Sequence, residues 1–389
     1  MTMMMTAAGG AERRWLFVDD AELFGGHEVM LLRWIGELLQ QGDVKPRLLA
    51  REGSRLQELA PAPVRCASAF ARLRSVWRDA KVLRRTLREE RPEWVVFACG
   101  ALGSQIPLQL LARLWGARVA VYVPLLGSFR SMGYRRAALK DLFVRAVLAR
   151  LPHAWVAITA QQAQEFRAWA RPTGPVHVLP NTVAREIEDA PRLAPAEARG
   201  ELRVLVLGRL EHWQKGLDLL LDHLEAAPPA ALRVSLVGEG PYREVVESRL
   251  AASPVLGRCL QLQPWMPARQ ALASHDLLLL PSRYEGVPLV MLEAMALGLP
   301  VIGADLPGLR AYLSEVQLFP MGDMKAAFER VEALRPREVR EAAAAAGRAA
   351  YEAGASSAAF AAAVAALSRT LDRQPPQQLK TEQLQPAAD

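Results

Sequence analysis

Glu285 and Glu293 stand eight residues apart in the segment 280–304, LPSRYEGVPLVMLEAMALGLPVIGA. An apolar run over 277–280 reads as a buried strand that ends at Pro281. A polar loop follows over 282–286, then an apolar helical stretch that stops at Gly298, with Pro300 opening the next strand. Pro288 is expected in the first helical turn, where its missing N–H costs nothing because that N–H has no partner anyway. A strand–loop–helix with Gly286 at the turn aims backbone N–H groups at one point, which is a ready anion site. A carboxylate repels phosphate, so Glu285 and Glu293 should meet hydroxyls instead. The ligand that satisfies both demands carries a diphosphate and sugars, as a sugar nucleotide does.

The rest of the chain must position that segment. Its 389 residues suit two domains better than one. Hydrophobic residues make up 51% and charged residues 23%, the balance of a chain with a sizeable core. Three cysteines, Cys66, Cys99 and Cys259, stand far apart with no CxxC pair, which argues against a disulfide framework or a zinc site and fits a reducing compartment. The first fourteen residues hold no long apolar core of the kind a signal peptide needs. Apolar runs elsewhere fall short of the roughly 20 residues of a spanning helix. Charge is unevenly spread: residues 1–190 hold 27 basic and 18 acidic side chains, and residues 191–389 hold 21 and 23. A basic first half fits an anionic acceptor or membrane surface, and a merely solvated basic surface gives the same count.

Short β-branched runs at 15–18, 47–50, 94–98, 118–123, 154–159 and 176–179 alternate with helical patterns such as 28–41, 76–90 and 105–115. This is the rhythm of a parallel sheet covered on both faces. The stretch 186–200, EIEDAPRLAPAEARG, has no apolar periodicity and reads as a linker. A second series of strands follows at 202–207, 233–237, 276–280, 301–303 and 316–319. An Ala-rich helix is expected over 357–373, packing back on the first domain, and the Gln- and Pro-rich tail 374–389 reads as disordered. The expected fold class is α/β, with two Rossmann-like doubly wound domains at 1–185 and 201–356. Ligands of such sheets bind at the carboxyl ends of the strands, here in a central cleft.

Five segments, in order, resemble one family. Glu285-x7-Glu293, continued by Ala294-Met295-Ala296-x-Gly298-x-Pro300-Val301, is similar to the E-x7-E signature of retaining GT-B glycosyltransferases of family 4. Gly208-Arg209-Leu210 with Lys215-Gly216 resembles the family's diphosphate-binding Arg and Lys. Val237 to Pro241 resembles its second glycine turn, Gly25-Gly26-His27-Glu28 its N-terminal glycine loop, and Pro180-Asn181 the strand end before its linker. The resemblance spans most of residues 15–350. It implies that Arg209 and Lys215 neutralise the leaving diphosphate, Glu293 binds ribose hydroxyls and Glu285 contacts the transferred sugar. It also implies that Gly286, Val287 and Leu289 shape the phosphate turn with Pro288, and that Gly25, Gly26, Gly208, Gly238 and Gly240 let backbone approach the donor. The implied donor is a UDP- or GDP-sugar, with no cofactor and no metal, and the implied acceptor is a glycan or lipid-linked glycan of a bacterial cell-surface polysaccharide. Glu28 could equally just favour the start of its helix.

The pattern departs from the family at 122–128, YVPLLGS, where many members carry a histidine and this chain has none. In a front-side retaining transfer the leaving phosphate itself can take the acceptor proton. Ser128, Arg130 and His27 are the N-terminal candidates for catalysis. Asp19-Asp20 closes the first strand and reads as a bare acidic turn rather than a metal site. The segment 130–150, RSMGYRRAALKDLFVRAVLAR, sets Leu139, Leu142, Phe143, Ala146 and Val147 on one helical face among six basic residues. Such a helix can lie on an anionic leaflet; with the resemblance, the expected location is the cytoplasm, with peripheral contact at the inner face of the membrane. An ordinary core-facing helix with basic solvent positions shows the same pattern. Competing readings are a nucleotide-sugar epimerase, a non-catalytic nucleotide-sugar scaffold, and a nicotinamide oxidoreductase. The last lacks a GxGxxG after the first strand, and no nucleic-acid partner is expected.

Overall fold

The computed structural model describes residues 13–21, 24–61, 66–67, 76–100, 102–103, 105–193 and 200–372. The tail 374–389, read above as disordered, and residues 194–199 of the linker stretch lie outside the described residues.

Seven parallel strands form the first sheet, in the order β3-β2-β1-β4-β5-β6-β7. They are β1 (Arg13–Asp19), β2 (Val44–Ala50), β3 (Cys66–Ala67), β4 (Trp94–Ala98), β5 (Arg118–Tyr122), β6 (Ala154–Ala157) and β7 (Val176–Val178). The second sheet has six, in the order β10-β9-β8-β11-β12-β13: β8 (Leu202–Leu207), β9 (Leu232–Val237), β10 (Leu260–Gln263), β11 (Leu277–Leu280), β12 (Val301–Ala304) and β13 (Leu318–Phe319). Every described pairing in both sheets is parallel. Such sheets are buried on both faces, which is why β4 and β11 read as unbroken apolar runs, WVVFA and LLLL. The order reverses direction between β1 and β4 and between β8 and β11, so each sheet has its switch point beside its first strand.

Two helices matter most for the site. Gly26–Gln41 follows β1 and buries Met30, Leu31, Trp34, Ile35 and Leu38, an i, i+3, i+4 stripe. Trp34 packs edge-on against Trp15, Phe17 and Tyr122, with ring centroids 6.3, 5.1 and 5.8 Å away. Such pairs add about 0.5–1.5 kcal/mol each beyond area burial, so the helix start is held at a fixed place. The helix Leu289–Leu297 is apolar all round and buries Met291, Leu292 and Ala294 to Leu297. Gly298 ends it at φ +76°, a left-handed cap that donates its N–H to Ala294 and Met295 carbonyls. Pro288 is the cap residue before this helix and not part of its first turn. The one-residue difference frees the first turn for residues that do carry an N–H.

Between the sheets the chain makes a short helix, Arg185–Glu188, in the stretch read above as featureless. The helix Ser357–Asp372 lies against the first domain: Gln41 donates to the Ala361 carbonyl at 2.9 Å, Arg118 to that of Leu371 at 2.5 Å, and Arg13 pairs with Asp372.

Candidate functional site in the interdomain cleft

The carboxyl ends of β8, β9 and β11 deliver three loops to one place. Gly208 and Gly238 follow β8 and β9, and their backbones touch: a Cβ on Gly238 would sit 1.9 Å from the Gly208 carbonyl oxygen. A Cβ on Gly240 would sit 2.4 Å from that of Leu210. Only glycine lets these turns nest. Lys215 rises from the short helix His212–Lys215 and passes Gly208. Its Nζ donates to Glu285 Oε1 at 2.5 Å, and Ser282 Oγ donates to the same oxygen at 2.9 Å. The Glu285 side chain is only 8% exposed, so this pair and the serine hydroxyl replace the water that burial takes from it. Arg209 stands exposed beside it and forms no ion pair among the described residues. Arg283 forks onto Asp218 at 2.7 and 2.6 Å and pins the loop from behind.

Glu293 is the one ionisable residue of Leu289–Leu297. Burial raises its carboxyl above the ordinary range, and the charge of Arg33, on the Gly26–Gln41 helix, partly opposes that. Arg33 also donates to the Thr182 carbonyl, so the first domain places a cation against the carboxylate of the second.

The two domains meet at the turn before the helix Leu289–Leu297. Asn181 Nδ2 donates to the Val287 carbonyl at 2.9 Å. Leu289 packs on Gly26, where a Cβ would meet it at 3.4 Å. Gly286 faces Pro124: a Cβ there would lie 2.6 Å from the Pro124 carbonyl oxygen and 2.9 Å from Ile158 Cδ1. Sequence spacing pointed to Gly286 as a phosphate turn, and the structure adds a contact across the cleft. Gly286→Ala is therefore expected to hold the domains apart and slow turnover roughly 10- to 100-fold, with little change in melting temperature. Steady-state kinetics beside calorimetry checks this, and unchanged turnover would show that the contact is not needed.

At the glycine loop, Glu28 Oε2 accepts the Gly25 N–H at 2.7 Å. Its helix-start role is thus present, and Glu28 is buried rather than facing the cleft. Asp19, read above as part of a bare acidic turn, is also buried, with Oδ1 on the Ala21 N–H at 2.7 Å and Oδ2 without a hydrogen-bond partner among the described residues. Asp20 is the exposed one and accepts from Gln105 at 2.7 Å. Asp19, His27 and Glu28 bring ligand-type atoms within 4.8 Å of one another, and His27 packs against Tyr122 at 5.5 Å. Sequence spacing missed this cluster because β1 and the helix start are joined through a loop of unremarkable composition. Burial pushes the Asp19 carboxyl up to about 6, against the pull of His27. A raised carboxyl favours folding below the unfolded pKa and loses that benefit as pH climbs through the folded one. Asp19→Asn is thus expected to stabilise the protein by roughly 2–3 kcal/mol near pH 8 and not at all below about pH 4. Melting curves at the two pH values test it, and a less stable variant at the higher pH would contradict it.

Ser128 and Arg130 lie on the loop after β5, with Ser128 bonded to Ser131 and Arg130 exposed. Tyr134 of this loop lies beside Tyr284, whose hydroxyl is pushed up to about 12 by burial and that neighbour. The loop thus reaches the residue before Glu285. Gln263 and Trp265, at and just beyond the end of β10, approach the second glycine turn: the Gln263 carbonyl accepts from Arg243 at 3.5 Å, and Trp265 N–H donates to Glu239 at 3.4 Å.

Two doubly wound parallel domains, with loops from both converging on one cleft, define the GT-B architecture. Solved structures share it: sucrose-phosphate synthase of Thermosynechococcus elongatus superposes with a TM-score of 0.75 at 17% identity, covering 93% of this chain and 99% of that one. Anabaena HepE in complex with UDP and glucose superposes with a TM-score of 0.70 at 15% identity, covering 93% and 100%. Residues 201–335 match the family described as Glycosyl transferases group 1. A sulfoquinovosyl transferase of Arabidopsis thaliana is 28% identical over 263 residues, 64% of this chain and 50% of that protein. The chain spans half or less of the length of the first curated relatives it matches.

Proposed function

We propose that this chain is a retaining glycosyltransferase. It moves a hexose-type sugar from a UDP- or GDP-sugar to a hydroxyl of a glycan or lipid-linked acceptor, in cell-surface polysaccharide synthesis at the cytoplasmic face of a membrane. The observation that carries the reading is the Lys215–Glu285–Ser282 cluster beneath the nested Gly208 and Gly238 turns, opposite Gly25 and Gly26. In this reading the turns cradle the diphosphate, and Lys215 and Arg209 supply the opposite charge. The HepE structure, which holds UDP and glucose on the same fold, supports a nucleotide-sugar donor. The sulfoquinovosyl transferase supports sugar transfer.

In this reading the acceptor oxygen attacks the anomeric carbon from the side the phosphate leaves. The carbon–oxygen bond to phosphate breaks as the new one forms, and the departing phosphate oxygen takes the acceptor proton. Lys215 and Arg209 stabilise charge on that oxygen. One such donor is typically worth about 2.7–4 kcal/mol. Glu285 keeps Lys215 aimed and Glu293 anchors the ribose hydroxyls.

With two cations in place of a metal, EDTA is expected to leave the transfer rate unchanged. Loss of activity in EDTA and its return with Mg²⁺ or Mn²⁺ would contradict that part. The test of the whole is sugar transfer from a panel of UDP-, GDP- and ADP-sugars, with product anomericity read by NMR. An inverted product would overturn the retaining assignment.

A further inference from the structure

The helix Ala137–Ala146 does not bury the apolar face its sequence displays. Leu139 is 66% exposed, Leu142 58% and Phe143 48%, while Val144 is buried as its anchor. The core-facing reading of these residues is therefore excluded. The exposed face is not flat. Between this helix and the start of Ile106–Leu114 runs an open groove of about 820 Å³, walled by Leu102, Ile106, Phe129, Leu142 and Phe143 and floored by Leu148. That volume is in the range of small-molecule sites. Soluble proteins seldom leave apolar grooves open, and such surfaces are often binding sites.

Charge says what kind of ligand fits. Residues 130–150 hold six basic side chains and one acid, Asp141. All six basic residues are exposed, while Asp141 accepts the Phe129 N–H at 2.7 Å. The rim is thus cationic and the groove apolar. The groove also leads to the cleft. Phe129 stands edge-on to Tyr134 with centroids 5.3 Å apart, Lys140 lies over both rings at 5.2 and 4.7 Å, and Tyr134 lies beside Tyr284. A ligand with its chain in the groove has its head among Arg130, Arg135 and Lys140, next to the turn that carries Glu285.

We infer that this groove binds the single hydrocarbon chain of a phosphate-bearing amphiphile, which presents its polar head to the cleft as acceptor. The inference rests on the proposed transfer reaction and goes beyond it by naming the acceptor's chemistry. A bilayer touching the helix from outside would need the exposed leucines alone. A bound chain needs the groove.

The test uses the full chain and dodecyl phosphate below its micelle-forming concentration, displacing the fluorescence of 11-(dansylamino)undecanoic acid. Saturable displacement of one probe per chain is expected. Leu142→Asp and Ala146→Trp, both at exposed positions, should each weaken it roughly tenfold or more, the first by removing apolar contact and the second by filling the groove. Melting temperature and UDP-sugar binding should not move. Absence of saturable binding, or equal binding by both variants, overturns the inference. So does retention only on phosphatidylcholine–phosphatidylglycerol vesicles, which would assign the face to a membrane surface, or concentration-dependent self-association, which would assign it to a second copy. In each of these cases UDP-sugar binding still stands as the separate measure of the proposed function.

Discussion

Lys215→Ala is expected to lower turnover by roughly 100- to 1,000-fold, the usual cost of removing one charge-stabilising donor from a transition state. The same change should also destabilise the fold. Glu285 is 8% exposed and shares its Oε1 between Lys215 at 2.5 Å and Ser282 at 2.9 Å. Without the ammonium, a carboxylate remains in a poorly solvated place. Breaking a buried pair costs about 3–5 kcal/mol, and because Lys215 is itself 22% exposed, a loss nearer 2 kcal/mol is expected here. A second change separates the two effects. Lys215→Met combined with Glu285→Gln removes both charges and should recover most of the stability, while turnover stays low. Melting curves and initial rates on the three proteins check this. A double variant as active as the wild type would remove the pair from the chemistry.

Glu293→Gln is expected to do the opposite to stability. Its carboxyl is raised by burial, with Arg33 as the opposing influence. The ionised form therefore costs folding free energy at neutral pH. The benefit of the protonated form is present below the unfolded carboxyl pKa and is lost as pH rises through the raised folded value. Glutamine has no such loss, so the ligand-free variant should melt higher than the wild type at pH values above that range. Donor affinity should fall at the same time. A carboxylate accepting ribose hydroxyls contributes about 1.5–3 kcal/mol, so donor KM should rise roughly 10- to 100-fold. Wild-type donor affinity should also weaken as pH falls and Glu293 takes up its proton. A more stable protein that binds its donor less well is the signature of a buried functional carboxylate. A variant that is less stable and binds the donor normally would make Glu293 a structural residue.

How much of this was readable from residues alone follows from what each feature depends on. Strands buried on both faces announce themselves, so 94–98 and 202–207 coincide with β4 and β8 to the residue. Of the four edge strands, β7 and β13 fall within the runs 176–179 and 316–319, while β3 and β10 were missed. Cys66–Ala67 has two residues, too few for any period, and LQLQ of β10 alternates over only four residues directly behind the short helix Pro254–Cys259. The boundary at Pro288 slipped by one because proline suits both the cap and the first turn. At the candidate site, spacing and resemblance singled out Glu285, Glu293 and the glycines, since each lies within one strand–loop–helix unit. It could not show that Lys215 would bond Glu285 seventy residues on, that Gly286 would face Pro124, or that Arg33 would stand near Glu293. Those pairings come from how the two sheets and their domains sit together, and no local pattern records it. Asp19 looked like a solvated turn acid because nothing in VDDAEL reveals that one aspartate points inward and the other out.

Titration calorimetry of UDP-, GDP- and ADP-sugars into the wild type and into Lys215→Ala and Glu293→Gln tests most directly that a nucleotide sugar occupies this cleft. One donor class is expected to bind the wild type at one molecule per chain, with affinity sharply reduced in both variants. Heat of binding for none of the sugars, or binding indifferent to both substitutions, would contradict the assignment of the cleft.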